Sequence, residues 1–169
     1  RGAADRARPA ERLVRSTAQP SSEERFSYSA DGSEVTDGRT GLVWRRCSEG
    51  QTWSGGACVG EAQRLTHEAA LAIAASQSGW RLPNIKELSG LADAKVHEPA
   101  MDRAAFPDVP GVPASIRSFY RPIWSSTPHV NSPERGWTVD FSVGYVESAP
   151  RSAPRENPSA QGSFVRLVR

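Results

Sequence analysis

Arginine, histidine and asparagine gather in two loops late in the chain. His129, Asn131 and Arg135 fall within 128–136, beside Glu134, while Arg151, Arg155, Glu156 and Asn157 fall within 149–162. A guanidinium presents a planar fork of N–H donors matched to a sulfate or a carboxylate. Three arginines and a histidine brought to one place would bind such an anion. A second set, Arg117, Tyr120 and Arg121, has the same chemistry and lies in the long segment 95–122. For both sets the plainer alternative is solvated loop charge, with Glu134 and Glu156 neutralising part of the first. Trp53 is a third candidate. It sits in a Gly-rich loop with few apolar neighbours, where an indole either stacks on a sugar ring or packs on a disulfide.

These residues need a frame. Strands are predicted at Ile123–Thr127, Gly136–Ser142 and Tyr145–Ser148, with a tight turn at Val143-Gly144. As an antiparallel meander they send the loops 128–136 and 149–162 out of the same end of the sheet. Earlier, short strands are expected at Phe26–Ala30, Ser33–Thr36 and Leu42–Arg46, separated by turns at Asp31-Gly32 and Asp37-Gly38. Thr66 caps a helix running to about Ser76, with Ala70, Leu71, Ala74 and Ala75 as its buried face and Gly79 in its C-terminal region. Pro83 precedes a second N-cap, Asn84, and Glu87 stands at N3 to complete a capping box. That helix is expected from Ile85 to about Asp93, burying Ile85, Leu88, Leu91 and Ala92. Phe106, Ile116, Phe119 and Tyr120 pin the long connection to the core, and a last strand covers 163–168. Trp44, Trp80, Trp124 and Trp137 read as core residues. Strands, then two helices, then strands give an α+β domain with helices on an antiparallel sheet, the first and last strands paired.

Size and composition fit one domain, 25–169, preceded by a polar linker or N-terminal arm, 1–24. The net charge is only +2, so bulk charge does not describe a nucleic-acid binder. The basic residues are 19 Arg against 2 Lys, which a GC-rich genome would also produce. Cys47 and Cys58 flank a flexible, turn-forming loop of ten residues and read as a local disulfide, hence an oxidising compartment: periplasm, cell surface or exterior. A metal site would need further ligands at zinc spacing. No apolar run approaches the ~20 residues of a membrane span. The chain starts at Arg1 without Met, as expected of a mature or trimmed form, and a removed signal, an N-terminal anchor or an assembly outside this chain is compatible with that.

Catalytic signatures are sparse. His67, His97 and His129 make no His-Glu-x-x-His pair, and there is neither a Gly-x-Ser-x-Gly elbow nor a phosphate-cradling glycine loop. Asp31, Glu34 and Asp37 miss the calcium-loop spacing and read as hairpin residues. No enzyme activity, cofactor or metal is expected.

Several motifs occur in a fixed order: Asp37-Gly38-Arg39-Thr40-Gly41-Leu42-Val43-Trp44, Gly79 to Leu88, Trp124-Ser125-Ser126-Thr127, Trp137-Thr138-Val139-Asp140-Phe141 and Val165 to Arg169. Together they resemble the bacterial family named after the C-terminal domain of the Legionella collagen-like adhesin, from about Phe26 to Arg169. The resemblance implies a C-type lectin-like fold and adhesion through sulfated glycans. It does not bring calcium-dependent sugar binding. The comparable strand reads Trp137-Thr138-Val139-Asp140, without the Trp-Asn-Asp of those lectins, and neither of their proline triplets occurs. The collagen-like repeat of the adhesin is also absent from this chain.

The expected function is extracytoplasmic recognition of an acidic or sulfated glycan, or of a protein surface, without chemistry. The alternative is a structural head module of a pilus-like or secretion assembly, or an envelope partner of another protein. A third reading is an oxidoreductase of the formylglycine type. That enzyme uses a late cysteine pair, whereas both cysteines here lie early.

Overall fold

Tight turns and helix caps set the local geometry. In the computed structural model, residues 25–93, 99–108, 122–152 and 162–169 are described. β1 (Phe26–Tyr28), β2 (Glu34–Asp37) and β3 (Val43–Arg45) form an antiparallel sheet in that order. The β1–β2 turn closes on Asp31, whose carboxylate accepts hydrogen bonds from Ser29 Oγ (2.6 Å), Ser33 Oγ (2.8 Å) and Ser33 N (3.1 Å). Those bonds hold its carboxyl down at about 2.

The loop between the cysteines is more ordered than expected. It contains a hairpin, β4 (Thr52–Ser54) and β5 (Ala57–Val59), around Gly55 and Gly56, both at positive φ. Alternation over three residues is too short a pattern to read against the glycines and serines around it. Cys47 and Cys58 are joined by a disulfide.

Two helices follow. α1 (His67–Ser76) starts where Thr66 Oγ1 accepts from Ala69 N. Its buried residues are His67, Ala70 and Ala74, whereas Leu71 and Ala75 are exposed, so the face is rotated from the predicted one. α2 spans only Ile85–Ser89. The capping box is present as predicted, Asn84 Oδ1 accepting from Glu87 N and Glu87 Oε2 from Asn84 N, each at 2.9 Å. The helix stops early because Gly90 is the C-cap and the next turns tighten to i→i+3 bonds, Leu91 N to Leu88 O and Ala92 N to Ser89 O. Leu91 is buried all the same.

β6 (Pro122–Pro128), β7 (Arg135–Asp140) and β8 (Tyr145–Pro150) form the expected meander, α1 packing on β6 and α2 on β6 and β7. The β7–β8 turn takes four residues, 141–144, with Gly144 at positive φ. The strands thus form three small sheets rather than one.

The terminal segment 163–169 joins them. It was expected as a strand beside the first. Instead it makes isolated bridges to Leu65, Ile123, Trp44 and Arg81, lying against β3 rather than β1. Its neighbours change every few residues, so no continuous ladder forms. Its side chains alternate all the same. Phe164 and Val168 enter one core cluster with Trp44, Leu88, Phe106 and Phe141. Val165 and Leu167 enter a second with Ala70, Ala74, Leu82 and Trp124. Trp44 and Trp124 are core residues as expected; Trp80 and Trp137 are only half-buried.

Part of the arginine excess is structural. Arg25 grips Asp37 through Nε (3.0 Å) and Nη2 (2.7 Å) and donates to Gly90 O (2.8 Å). Arg166, fully buried, donates to Asp108 (2.5 Å) and to the carbonyls of Arg45 (2.8 Å) and Arg46 (2.6 Å). Removing one partner of such a pair strands a buried charge. Burial works to raise the Asp37 carboxyl, but the bonds from Arg25 and Arg39 N outweigh it and hold it low.

Candidate recognition surfaces

The end of the β6–β7–β8 sheet carries the predicted loop residues. Pairing of Arg135 with Pro150 puts the loop 129–134 and the chain after β8 at one end, as the meander requires. Arg151 N donates to Glu134 O (2.8 Å), and Arg151 O accepts from His67 N (2.9 Å), fastening both to the start of α1. His129, Asn131, Arg135 and Arg151 are therefore brought to one place. Asn131 is exposed, and Val130 beside it is 87% exposed.

The two arginines do not simply face water. Arg135 donates from Nε to Ser148 Oγ (2.9 Å) and from Nη2 to Ser148 O. Arg151 donates from Nε to His67 Nδ1 (3.0 Å) and from Nη1 to Pro133 O (3.2 Å). Both remain half-buried, with part of their surface open. The His129 ring stacks on Trp137 at 4.7 Å, and its Nδ1 is shielded without a partner among the described residues. Arg155, Arg117, Tyr120 and Arg121 lie outside the described residues, as do Ile116, Phe119 and His97.

His67 belongs to this end, which sequence reasoning missed. Its Nε2 donates to Ser125 O (2.9 Å), so Nδ1 is the acceptor for Arg151. Burial lowers its pKa, the bond to Ser125 O opposes, and the neighbouring Arg151 charge adds to the lowering. The signal available beforehand was Gly136, a glycine inside a strand, which marks close approach. A Cβ there would stand 3.1 Å from the Trp124 ring and 3.3 Å from the His67 ring.

Trp53 lies on β4, opposite Cys58 of the disulfide, and is half-buried. Its Nε1 donates to Asp31 O (2.9 Å), and its ring lies so close to Gly32 that a Cβ there would meet it at 3.2 Å. The Arg46 guanidinium lies between two rings, 4.0 Å from that of Trp53 and 4.6 Å from that of Tyr28. It also donates to the carbonyls of Gly32 (2.7 Å), Ala104 (2.7 Å) and Ala105 (3.0 Å).

Next to this hairpin is a cleft of about 350 Å³ whose walls include Glu34, Arg45, Glu49, Gln51, Thr52 and Trp53. Each of its lining charges has a partner: Arg45 with Glu49 within the wall (3.2 Å), and Glu34 with Arg169, which is not itself a wall residue (2.6 Å). Trp80 lies under both cations, its ring 4.7 Å from the Arg45 guanidinium and 4.8 Å from that of Arg169.

The acidic residues near the first turns have protein partners. Asp37 holds Arg25, Glu34 holds Arg169, and Asp31 closes its turn.

A family model described as the Lcl C-terminal domain matches residues 33–169. No curated protein and no solved structure matches the chain.

Proposed function

The chain belongs to the Lcl C-terminal domain family, and from that membership we propose that it is a non-catalytic, extracytoplasmic domain of recognition and adhesion. Membership is the observation that carries the reading. The Cys47–Cys58 bond supports placement outside the cytoplasm, where disulfides persist. Among the described residues, no helix is long and apolar enough to cross a membrane. The C-type lectin-like fold is part of the same proposal. It is supported by the return of the terminal segment to β3, which sets the end of the domain beside its beginning.

The ligand is an acidic or sulfated glycan, held at the sheet end by the open parts of Arg135 and Arg151 with His129 and Asn131, joined by Arg155 of the same loop. Charge-assisted bonds to sulfate make such binding fall as salt rises. The test is binding of the full chain to a sulfated polysaccharide and to its desulfated form at low and physiological salt. Selective, salt-sensitive binding, lost in R135A/R151A/R155A, is expected. Salt-insensitive binding that survives the triple substitution overturns this site.

A protein surface is the second ligand class. β8 is the outer strand of its sheet, with Tyr145 70% and Val146 47% exposed. Stoichiometric capture of one envelope protein, lost on Tyr145→Glu, would favour that class.

A further inference from the structure

We infer that the cleft beside the disulfide hairpin is a second binding site, for an uncharged sugar unit. The inference rests on the recognition reading in taking a glycan as the ligand, but it concerns different residues and a different chemistry.

Size comes first. A volume of about 350 Å³ is at the small end for ligand clefts, which run from roughly 300 to 1,000 Å³, and suits one or two sugar rings rather than a long chain. Charge comes next. Glu34 and Glu49 are matched by Arg169 and Arg45, so the cleft has no excess of either sign. An anion entering here would meet the carboxylates of Glu34 and Glu49, and a cation would meet the guanidinium of Arg45. A polyol meets no such penalty. Each of its hydroxyls both donates and accepts, which carboxylate acceptors and the Arg45 donor in one cleft satisfy together.

The polar groups are also partly unused. Glu34 engages Arg169 through Oε2, and Arg45 engages Glu49 through Nη1. Among the described residues the other oxygen of Glu34 and the other N–H groups of Arg45 make no hydrogen bond. Gln51 is held loosely: its Nε2 reaches Gly60 O at 3.4 Å, and its Oε1 is shielded without a donor. Turning that amide into the cleft gives up one long bond and satisfies an oxygen that is otherwise stranded.

Finally the wall is pre-set. Trp53 is fixed by Asp31 O, Gly32 and Arg46, and its strand neighbour Cys58 is tied to Cys47. A rigid aromatic costs little entropy on binding, and the part of the Trp53 ring that lines the cleft, away from Arg46, supplies apolar surface for the C–H groups of a sugar.

The experiment is saturation-transfer NMR of the full chain with a panel of uncharged methyl hexopyranosides, with a sulfated monosaccharide and a simple primary amine as controls. Saturable transfer to at least one neutral sugar, unchanged by salt, is expected. E34Q and Q51A should each weaken it by about tenfold, the loss of a hydrogen bond in the complex, while circular dichroism and melting stay as in the wild type. R135A/R151A/R155A should leave it unchanged. No saturable transfer to any neutral sugar overturns the proposal. So does preference for the sulfated sugar or the amine, or binding that survives both cleft substitutions. Loss of sulfated-polysaccharide binding in the loop variant with neutral-sugar binding intact, or the reverse, separates failure of one site from failure of the other.

Discussion

The joint where Arg81–Glu87, Trp124–Thr127 and the terminal segment meet differs sharply from the cleft beside β4–β5. At the joint, side chains and backbone are committed to one another. Arg81 clasps Glu87 through two bonds of 2.8 Å, and its backbone exchanges bonds with Val168, both 3.0 Å. Glu87 is therefore both the N3 residue of the capping box and the anchor of Arg81, whose bonds hold its carboxyl low against the effect of burial. Trp124 Nε1 donates to Leu65 O, Ser125 Oγ to Trp137 O, Ser126 N to Pro83 O, and Thr127 Oγ1 accepts from Ile85 N. At the cleft, Glu34, Arg45 and Gln51 are each half-used. The sequence motifs that stand out most therefore build the frame, and the surface fit for a ligand lies in residues with no motif at all.

That contrast can be broken from the frame side first. Replacing Asp108 by Ala leaves the buried Arg166 charge without its carboxylate, and about 3–5 kcal/mol of stability should be lost in denaturant unfolding. Unfolding within 1 kcal/mol of wild type, taken as about the measurement's own scatter, would show that the pair is not a keystone. Next is the hairpin. C47S/C58S removes a short loop closure and should cost about 2–3 kcal/mol, and it should also weaken cleft binding, because the wall is no longer held. Asn84→Ala should cost about 1 kcal/mol by removing one half of the capping box, read as a lowered melting temperature.

The smallest expected effect is a pH dependence. The folded chain lowers the pKa of His67, so the unfolded chain takes up the proton more readily. Its contribution is whole above about 6.5, the unfolded value, and is lost as pH falls through the lower folded value. Unfolding curves across that window should show stability falling with pH, and His67→Gln should flatten the slope. An unchanged slope in H67Q would assign the dependence elsewhere.

Much of this was legible beforehand. The capping box at Asn84–Glu87, the Thr66 cap, the disulfide and the late meander follow from local rules, in which neighbouring residues decide the outcome. What escaped was decided at a distance. The last segment alternates like a strand, but its partners belong to several elements, so it forms bridges rather than a ladder. Arg25, Arg46 and Arg166 look like surface residues by type, and only tertiary carbonyls and carboxylates make them internal. Of the three loop arginines, Arg135 and Arg151 stand at one end of the sheet as the topology requires, and Arg155 lies outside the described residues. The bonds of the first two to Ser148, His67 and Pro133 were invisible, because nothing in the spacing of Arg135 and Arg151 points to those partners.

The recognition reading is tested most directly by a glycan array probed with the full chain at low and at physiological salt. Selective signal on sulfated or uronic-acid glycans, weakening as salt rises, is the predicted result. An array without selective signal at either salt would contradict a glycan-binding domain and transfer the weight to a protein partner.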